Sequence, residues 1–368
     1  MSSGGDRLVS SAAPLITLVS GCFRVPLSME RALRRTYHWA TVNGGVVAVA
    51  TLVSTTEAAI AELTGSAAAS ALGSTLLLYA LVFTACALNL RGRRRLDASS
   101  SRTASRLSSP IAWSSIIAHP LGSAFERYAH GLMAVAHVAH AQPHPPTQPQ
   151  PNGSAGAAYA TDAPLLSVHM LMDHSAATAA AATATALASG ALWWLGLAAR
   201  LLIFEVVFDG FFYMAHRAVH AVPSVYKAVH KLHHAHTHDV RLLSSLQMTA
   251  ADVVLTHTLP VLLALRVVPL AHGMELSLAK TYLLFQELYG HAGVEHKGRC
   301  FGPAPFLVRA MGIELCAADH RRHHIQASVN FSKRFSLWDK LLGTWYYEGA
   351  GRDEASEVAE TVKIKKRE

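Results

Sequence analysis

The chain has 368 residues, 51% of them hydrophobic and only 15% charged, with a formal charge of +8. That composition excludes an ordinary soluble domain and indicates a membrane protein, and the Lys and Arg gather at the ends of apolar segments, where they set topology, which argues against nucleic-acid binding. Cys22, Cys86, Cys300 and Cys316 form no Cys-x-x-Cys pair, so reduced thiols are expected, whereas 22 histidines are an excess whose commonest concentrated use is metal ligation.

The first residues lack the pattern of a cleaved signal peptide, and none is expected. Residues 38–56 and 67–90 carry no charged side chain, and each is long enough to cross a bilayer as a helix. Arginines at 31, 34 and 35 precede the first, and the run Arg91 to Arg95 follows the second. The connection holds Glu57 and Glu62, so residues 1–96 read as an N-terminal region with a transmembrane hairpin whose outer ends face the cytosol. Residues 97–174 are rich in Ser, Pro, Ala and His and read as a disordered or loosely packed cytosolic insertion, with His130, His137, His140 and His144 solvated.

Residues 175–204 form an Ala/Leu-rich stretch that runs through Glu205 and Asp209 into the first histidine pair. The stretches 253–270 and 274–290 predict a second, more amphipathic hairpin. A cytosolic arginine run at 91–95 and a cytosolic site at 216 require an even number of crossings between them, yet one clear span is visible. Either 175–208 doubles back near Gly190, a weak segment around 107–140 also enters, or the first hairpin is incomplete. Residues 175–348 are read as the catalytic domain and 349–368 as a charged tail.

Asp209, Tyr213, His216 and His220 fall at helical spacing and share one face. Asp209 is thereby expected to orient an imidazole and set its tautomer; a carboxylate snorkelling at a membrane boundary is the plainer reading. His230, His233 and His234 form His-x-x-His-His, and His320, His323 and His324 repeat it. At this histidine frequency such a triplet is expected by chance roughly 0.08 times in the chain. The hairpin 253–290 leaves the His234 side of the membrane and returns to it at His291, so an even number of spans delivers every cluster to one surface. His291 and His296 are the candidates to complete the shell. Ten histidines exceed the three protein ligands of a catalytic zinc, so two metals follow; imidazole alone does not choose the element.

These residues resemble the fatty acid hydroxylase/sterol desaturase superfamily of membrane diiron enzymes over about 190–347. The resemblance rests on Asp209-Gly-Phe-Phe-Tyr-Met-Ala-His216-Arg-Ala-Val-His220, Tyr226-Lys-Ala-Val-His230-Lys-Leu-His233-His234, Gly290-His291-Ala-Gly, Asp319-His320-Arg-Arg-His323-His324 and Trp338-Asp-Lys-Leu-Leu-Gly-Thr344. It implies an all-α, multi-span membrane protein whose cytosolic helical cap holds two irons on the clustered histidines. It also implies use of molecular oxygen, and electrons from NAD(P)H through a separate cytochrome b5-type or reductase partner, since no His-Pro-Gly-Gly haem segment is present. The expected reaction is hydroxylation or desaturation of a sterol or fatty acyl lipid.

The chain departs from the family where Arg321 replaces a common acidic residue, and where a histidine with an acidic residue is represented only by Asp252, with His257 out of place. Trp338 to Thr344 is expected to be structural, a helix ending on Gly343. The terminal Lys365-Lys-Arg-Glu368 is similar to a dilysine signal for the endoplasmic reticulum. The competing readings are a histidine-rich membrane metal transporter, which predicts ionisable residues at the membrane centre, and a catalytically inactive lipid-binding relative.

Overall fold

The structure, a computed structural model, describes residues 27–90, 116–141, 176–236, 242–293 and 302–346. Among them there is no strand. The helices are α1 (Leu27–Thr64), α2 (Ala67–Asn89), α3 (Ala118–Ala141), α4 (Ala176–Ala221), α5 (Ala250–Val267), α6 (Met274–Gly290), α7 (Pro305–Ala310), α8 (Ala317–Ile325) and α9 (Leu337–Leu341). Four segments are long and apolar enough to cross a membrane: Ala32–Thr64, Ala67–Asn89, Thr183–Ala221 and Ala250–Val267. The chain is therefore an integral, all-helical membrane protein. Two units are distinguished, Met1–Gly131 with Arg200–Glu368, and Leu132–Ala199; the second holds the end of α3 and the start of α4.

The expected first hairpin is α1 and α2, reversed at Gly65, whose φ of +63° suits glycine, and capped by Ser66 accepting from the Ala69 N–H. It packs on α6 through Val53, Leu78, Val82, Cys86, Leu284 and Leu288. α4 runs unbroken through Gly190, so the stretch 175–208 does not double back. At 1.5 Å per residue its 46 residues reach about 69 Å, enough to cross a bilayer and carry a site beyond it. It stops at Ala221, just before Val222-Pro223.

α5 contains a π-turn over Val253–Thr258, in which the Leu259 N–H reaches back five residues to the Val254 carbonyl, and the following Pro260 has no N–H to give. A turn at 268–273, with Gly273 at φ +86°, leads into α6. α6 is the central helix: none of its residues is exposed, which is how it carries Glu275, Lys280 and Glu287 in an apolar setting.

The expected insertion 97–174 is corrected over its described part. Residues 118–141 are helical, and His119, Ser123, Glu126, Arg127 and His130 are buried, not solvated. Their spacing of 4, 3, 1 and 3 is a helical stripe, but a polar one, and a search for apolar stripes passes over it. Glu126 pairs with Lys280, and Arg127 with Glu57 at 2.7 Å. The remainder of that region, with His144, and the tail with its dilysine lie outside the described residues, as do the side chains of His137 and His140.

Buried pairs are fragile when halved. Glu126→Leu strands the Lys280 ammonium and is expected to cost about 3–5 kcal/mol, read as a lowered Tm of the purified protein in detergent. The double variant E126L/K280L should regain most of the loss, because it removes both desolvated charges together.

Candidate metal centre

The last turns of α4 deliver His216 and His220. The turn after Pro223, a single π-turn at Tyr226–His230 followed by a 3-10 turn at His233–His236, delivers His230, His233 and His234. His291 caps α6, and α8 presents His320, His323 and His324. The structure brings these nine histidines together in two groups, His216, His220, His230, His234 and His323 in one, and His233, His291, His320 and His324 in the other. Within each group the ligand atoms lie within 4.8 Å of one another. His296 lies outside the described residues.

The protons of several rings are already committed. His216 Nδ1 donates to the Phe331 carbonyl at 2.7 Å, His323 Nδ1 to the Val329 carbonyl at 2.8 Å, and His291 Nδ1 to the Glu287 carbonyl at 2.9 Å. His230 Nδ1 donates to the Asp252 carboxylate at 2.8 Å. With Nδ1 protonated in a neutral ring, Nε2 is a lone pair. Nevertheless His216 Nε2 faces His230 Nε2 at 3.0 Å, and His291 Nε2 faces those of His320, His233 and His324 at 2.9, 3.2 and 3.3 Å. Ring nitrogens converging at such distances within two groups are the arrangement in which a cation between them would be held. Metal–nitrogen bonds of about 2.0–2.1 Å put neighbouring ligand nitrogens roughly 3 Å apart at right angles.

Protonation does not supply that cation. Burial, reinforced by the neighbouring imidazoles, holds His233, His320, His323 and His324 well below the usual histidine range, and pushes His234 down to about 2. Neutral imidazoles are the form that binds metal. Nε2 of both His220 and His323 is buried without a hydrogen-bond partner. The residues thus fit a pair of metal ions.

Asp209 is corrected. Among the described residues it touches no imidazole; Oδ1 accepts the N–H groups of Lys333 and Arg334 at 2.8 and 2.9 Å, and Oδ2 that of Phe335 at 3.1 Å. Three clustered backbone donors with no ladder of their own claim the carboxylate. Asp339 does the same one turn earlier, accepting from Phe331 and Ser332 at 2.8 and 2.9 Å and from the Thr344 hydroxyl at 2.7 Å. Between them they fix the loop 329–335, the source of the two carbonyls that orient His323 and His216. Asn330 straps the loop from a left-handed φ of 54°, donating to the Asp319 and Tyr346 carbonyls at 3.1 and 2.9 Å.

The Trp338–Thr344 segment keeps its structural role. The Trp338 indole donates to the Val206 carbonyl at 3.1 Å and covers Gly210, where a Cβ would come within 2.8 Å of the ring. The site residues that sequence reasoning missed are thus Asp339, Asn330 and the backbone of 329–335. The carboxylate that does orient an imidazole is Asp252. His257 stands outside both groups, facing the Glu287 carboxylate at 3.5 Å and the Lys333 ammonium, which also pairs with Glu287. On α8, Arg321 is half-buried, and Arg322 turns away to lie 4.3 Å over the Tyr346 ring. A small cavity of about 40 Å³ is lined by Tyr79, His119, Glu126, His257, Lys280, Glu287 and Lys333 together with Phe208, Val253, Val261 and Leu284, and by none of the nine histidines.

Fold and site define a helical membrane protein with two histidine groups, each of which could hold a metal ion. Residues 201–344 match the fatty acid hydroxylase family model. It is 27% identical over 162 residues to a fatty acid hydroxylase of Lecanicillium sp, covering 41% of this chain and 43% of that one. To a methylsterol monooxygenase of Aspergillus fumigatus it is 30% identical, over 40% of this chain and 48% of the relative. To a cholesterol 25-hydroxylase-like protein of Danio rerio it is 30% identical, over 41% and 56%. The matches thus span about half the length of these relatives. No solved structure matches the chain.

Proposed function

We propose that the protein is a membrane diiron oxygenase that hydroxylates or desaturates a lipid, a sterol or a fatty acyl chain, with its site and C-terminus on the cytosolic face of the endoplasmic reticulum. One observation carries the reading: two groups of largely buried imidazoles whose ligand atoms converge within 4.8 Å in each group, at one end of apolar helices. The names of the relatives support oxygen insertion into lipids, and both sterol and fatty acid chemistry occur among them.

Iron held by the two groups would supply the activation of molecular oxygen. In hydroxylation one oxygen atom enters a carbon–hydrogen bond and the other leaves as water, with two electrons from NAD(P)H passed through a separate cytochrome b5-type or reductase partner, and two protons. The chain's own residues perform the rest. His216, His220, His230, His234 and His323 would hold one metal, and His233, His291, His320 and His324 the other. Asp252 and the carbonyls of Glu287, Val329 and Phe331 fix the ring tautomers, while Asp209 and Asp339 keep the loop in place. Burial of the rings excludes bulk water, and the apolar helices supply the lipid's approach from the bilayer.

The transporter reading draws no support from the charges inside the helices, because Glu57 with Arg127 and Glu126 with Lys280 already neutralise each other.

The test is mass spectrometry of sterols and fatty acids from eukaryotic cells that express the protein beside cells that express a His233→Ala, His323→Ala variant at equal level. A lipid that has gained one oxygen or lost two hydrogens should appear with the intact chain alone. Matching profiles in the presence of a supplied electron donor would overturn the enzyme reading.

A further inference from the structure

We propose that α3 is itself a membrane-crossing helix, its apolar face lying against lipid acyl chains, so that the chain crosses the bilayer six times through α1 to α6 and residues 142–175 lie across the membrane from the metal centre. α3 fails a hydropathy criterion because it carries His119, Glu126, Arg127 and His130. Its exposure is nonetheless inverted relative to a helix in water. From 116 to 135 the exposed residues are Ile117, Leu121, Phe125, Leu132, Met133 and Val135, all apolar, while the charged ones and both histidines are buried. A water-facing surface helix shows the opposite arrangement. A helix with lipid outside and protein inside shows this one, since ionisable groups in membrane helices turn to the bundle interior and pair there.

The contacts of its first half give its direction. Gly122 sits against Val253, near the start of α5, which lies at the metal end next to Asp252. Eight residues on, His130 Nδ1 lies 3.2 Å from His272 Nδ1, and Gly131 faces the same ring; His272 is in the turn that joins α5 to α6 at the opposite end. Glu57, seven residues before the end of α1, reaches Arg127, and its other oxygen lies 3.8 Å from His272. α3 therefore starts level with the metal end and has come to the far turn by Gly131. The 24 residues of α3 extend about 36 Å, more than the roughly 30 Å hydrocarbon core.

This assignment also removes the parity conflict in the sequence. With α3 and α4 both crossing, the arginine run at 91–95 and the histidines at 216 and 220 fall on one side, as the positive-inside rule requires of a cytosolic site. The inference stands apart from the proposed chemistry, because an inactive relative would have the same topology.

The test places one epitope tag between Ser100 and Ser101 in one full-length chain, and between Gln150 and Pro151 in another, and treats sealed microsomes from expressing eukaryotic cells with protease. The tag at 100 should be digested and the tag at 150 protected until detergent is added. Tags that are both digested, or both protected, put the two segments on one side and overturn the proposal. The segment also contains Asn152-Gly153-Ser154, an acceptor pattern for N-glycosylation. A glycosidase-sensitive mass increment that disappears in N152Q would independently confirm the lumenal side.

Discussion

A His323→Ala chain is expected to bind one iron where the intact chain binds two, and to form no oxidised lipid above the background of cells lacking the protein. His323 is fully buried, its Nδ1 is spent on the Val329 carbonyl, and its Nε2 is buried with no hydrogen-bond partner. Its ring stands 4.5 Å from that of His216 and 4.9 Å from those of His220 and His234. The second group, built on His233, His291, His320 and His324, does not use this ring and should retain its ion. Elemental analysis of purified protein measures the iron directly, and lipid mass spectrometry the product. If both irons stay, the ring is not a ligand; if both leave, the two groups are one cooperative site. His320→Ala is the matching experiment from the other group, and its loss should be the complementary ion. Finding zinc or copper in place of iron would leave the geometry intact and change the chemistry, because imidazole accepts all three.

The histidines were legible because helical spacing is a local property. His-x-x-x-His on α4 and His320, His323 and His324 on α8 each place their rings on one face whatever the tertiary structure does. What was not legible depends on partners far along the chain. Asp209 lies seven residues from His216 on the same helix, which makes an orienting role the natural expectation, but the competing donors are the N–H groups of residues 333–335, more than a hundred positions away. Asp252 is 22 residues from the ring it does orient; the resemblance marked it as an acidic position, but spacing alone could not name its imidazole. The loop 329–335 acts through carbonyl oxygens, which every residue possesses, so its composition could not announce it. The misreading of residues 118–131 has a different cause. Hydrophobic periodicity looks for an apolar face turned inward, and a helix bounded by lipid reverses that polarity; α6, shielded on all sides, hides its charges from the same rule.

The second large effect should come from Asp252. Replacing it by leucine is expected to lower iron affinity of the first group by about 100-fold, and by asparagine by about 10-fold, the span that loss of an orienting partner usually covers. Asp252 Oδ2 accepts the Nδ1 proton of His230 at 2.8 Å, and Oδ1 accepts the Thr256 hydroxyl at 3.1 Å. The Thr249 hydroxyl accepts the N–H of Asp252 at 3.1 Å and itself donates to the Val229 carbonyl at 2.8 Å, so the start of α5 and the turn that carries His230 are fixed as one piece. Asparagine keeps an oxygen for the imidazole and loses the charge that raises its basicity. Leucine leaves Nδ1 without an acceptor in a buried site, which frees the ring to take the other tautomer and turn its proton towards the metal. Competition with a chelator, followed by the iron remaining on each variant, separates the two. Asp209→Asn supplies the contrast: its carboxylate acts on the backbone of 333–335, so that variant should lower Tm with only a secondary effect on iron. Equal losses of iron in D252N and D209N, at equal Tm, would place both carboxylates in the same role and contradict the division drawn from their contacts.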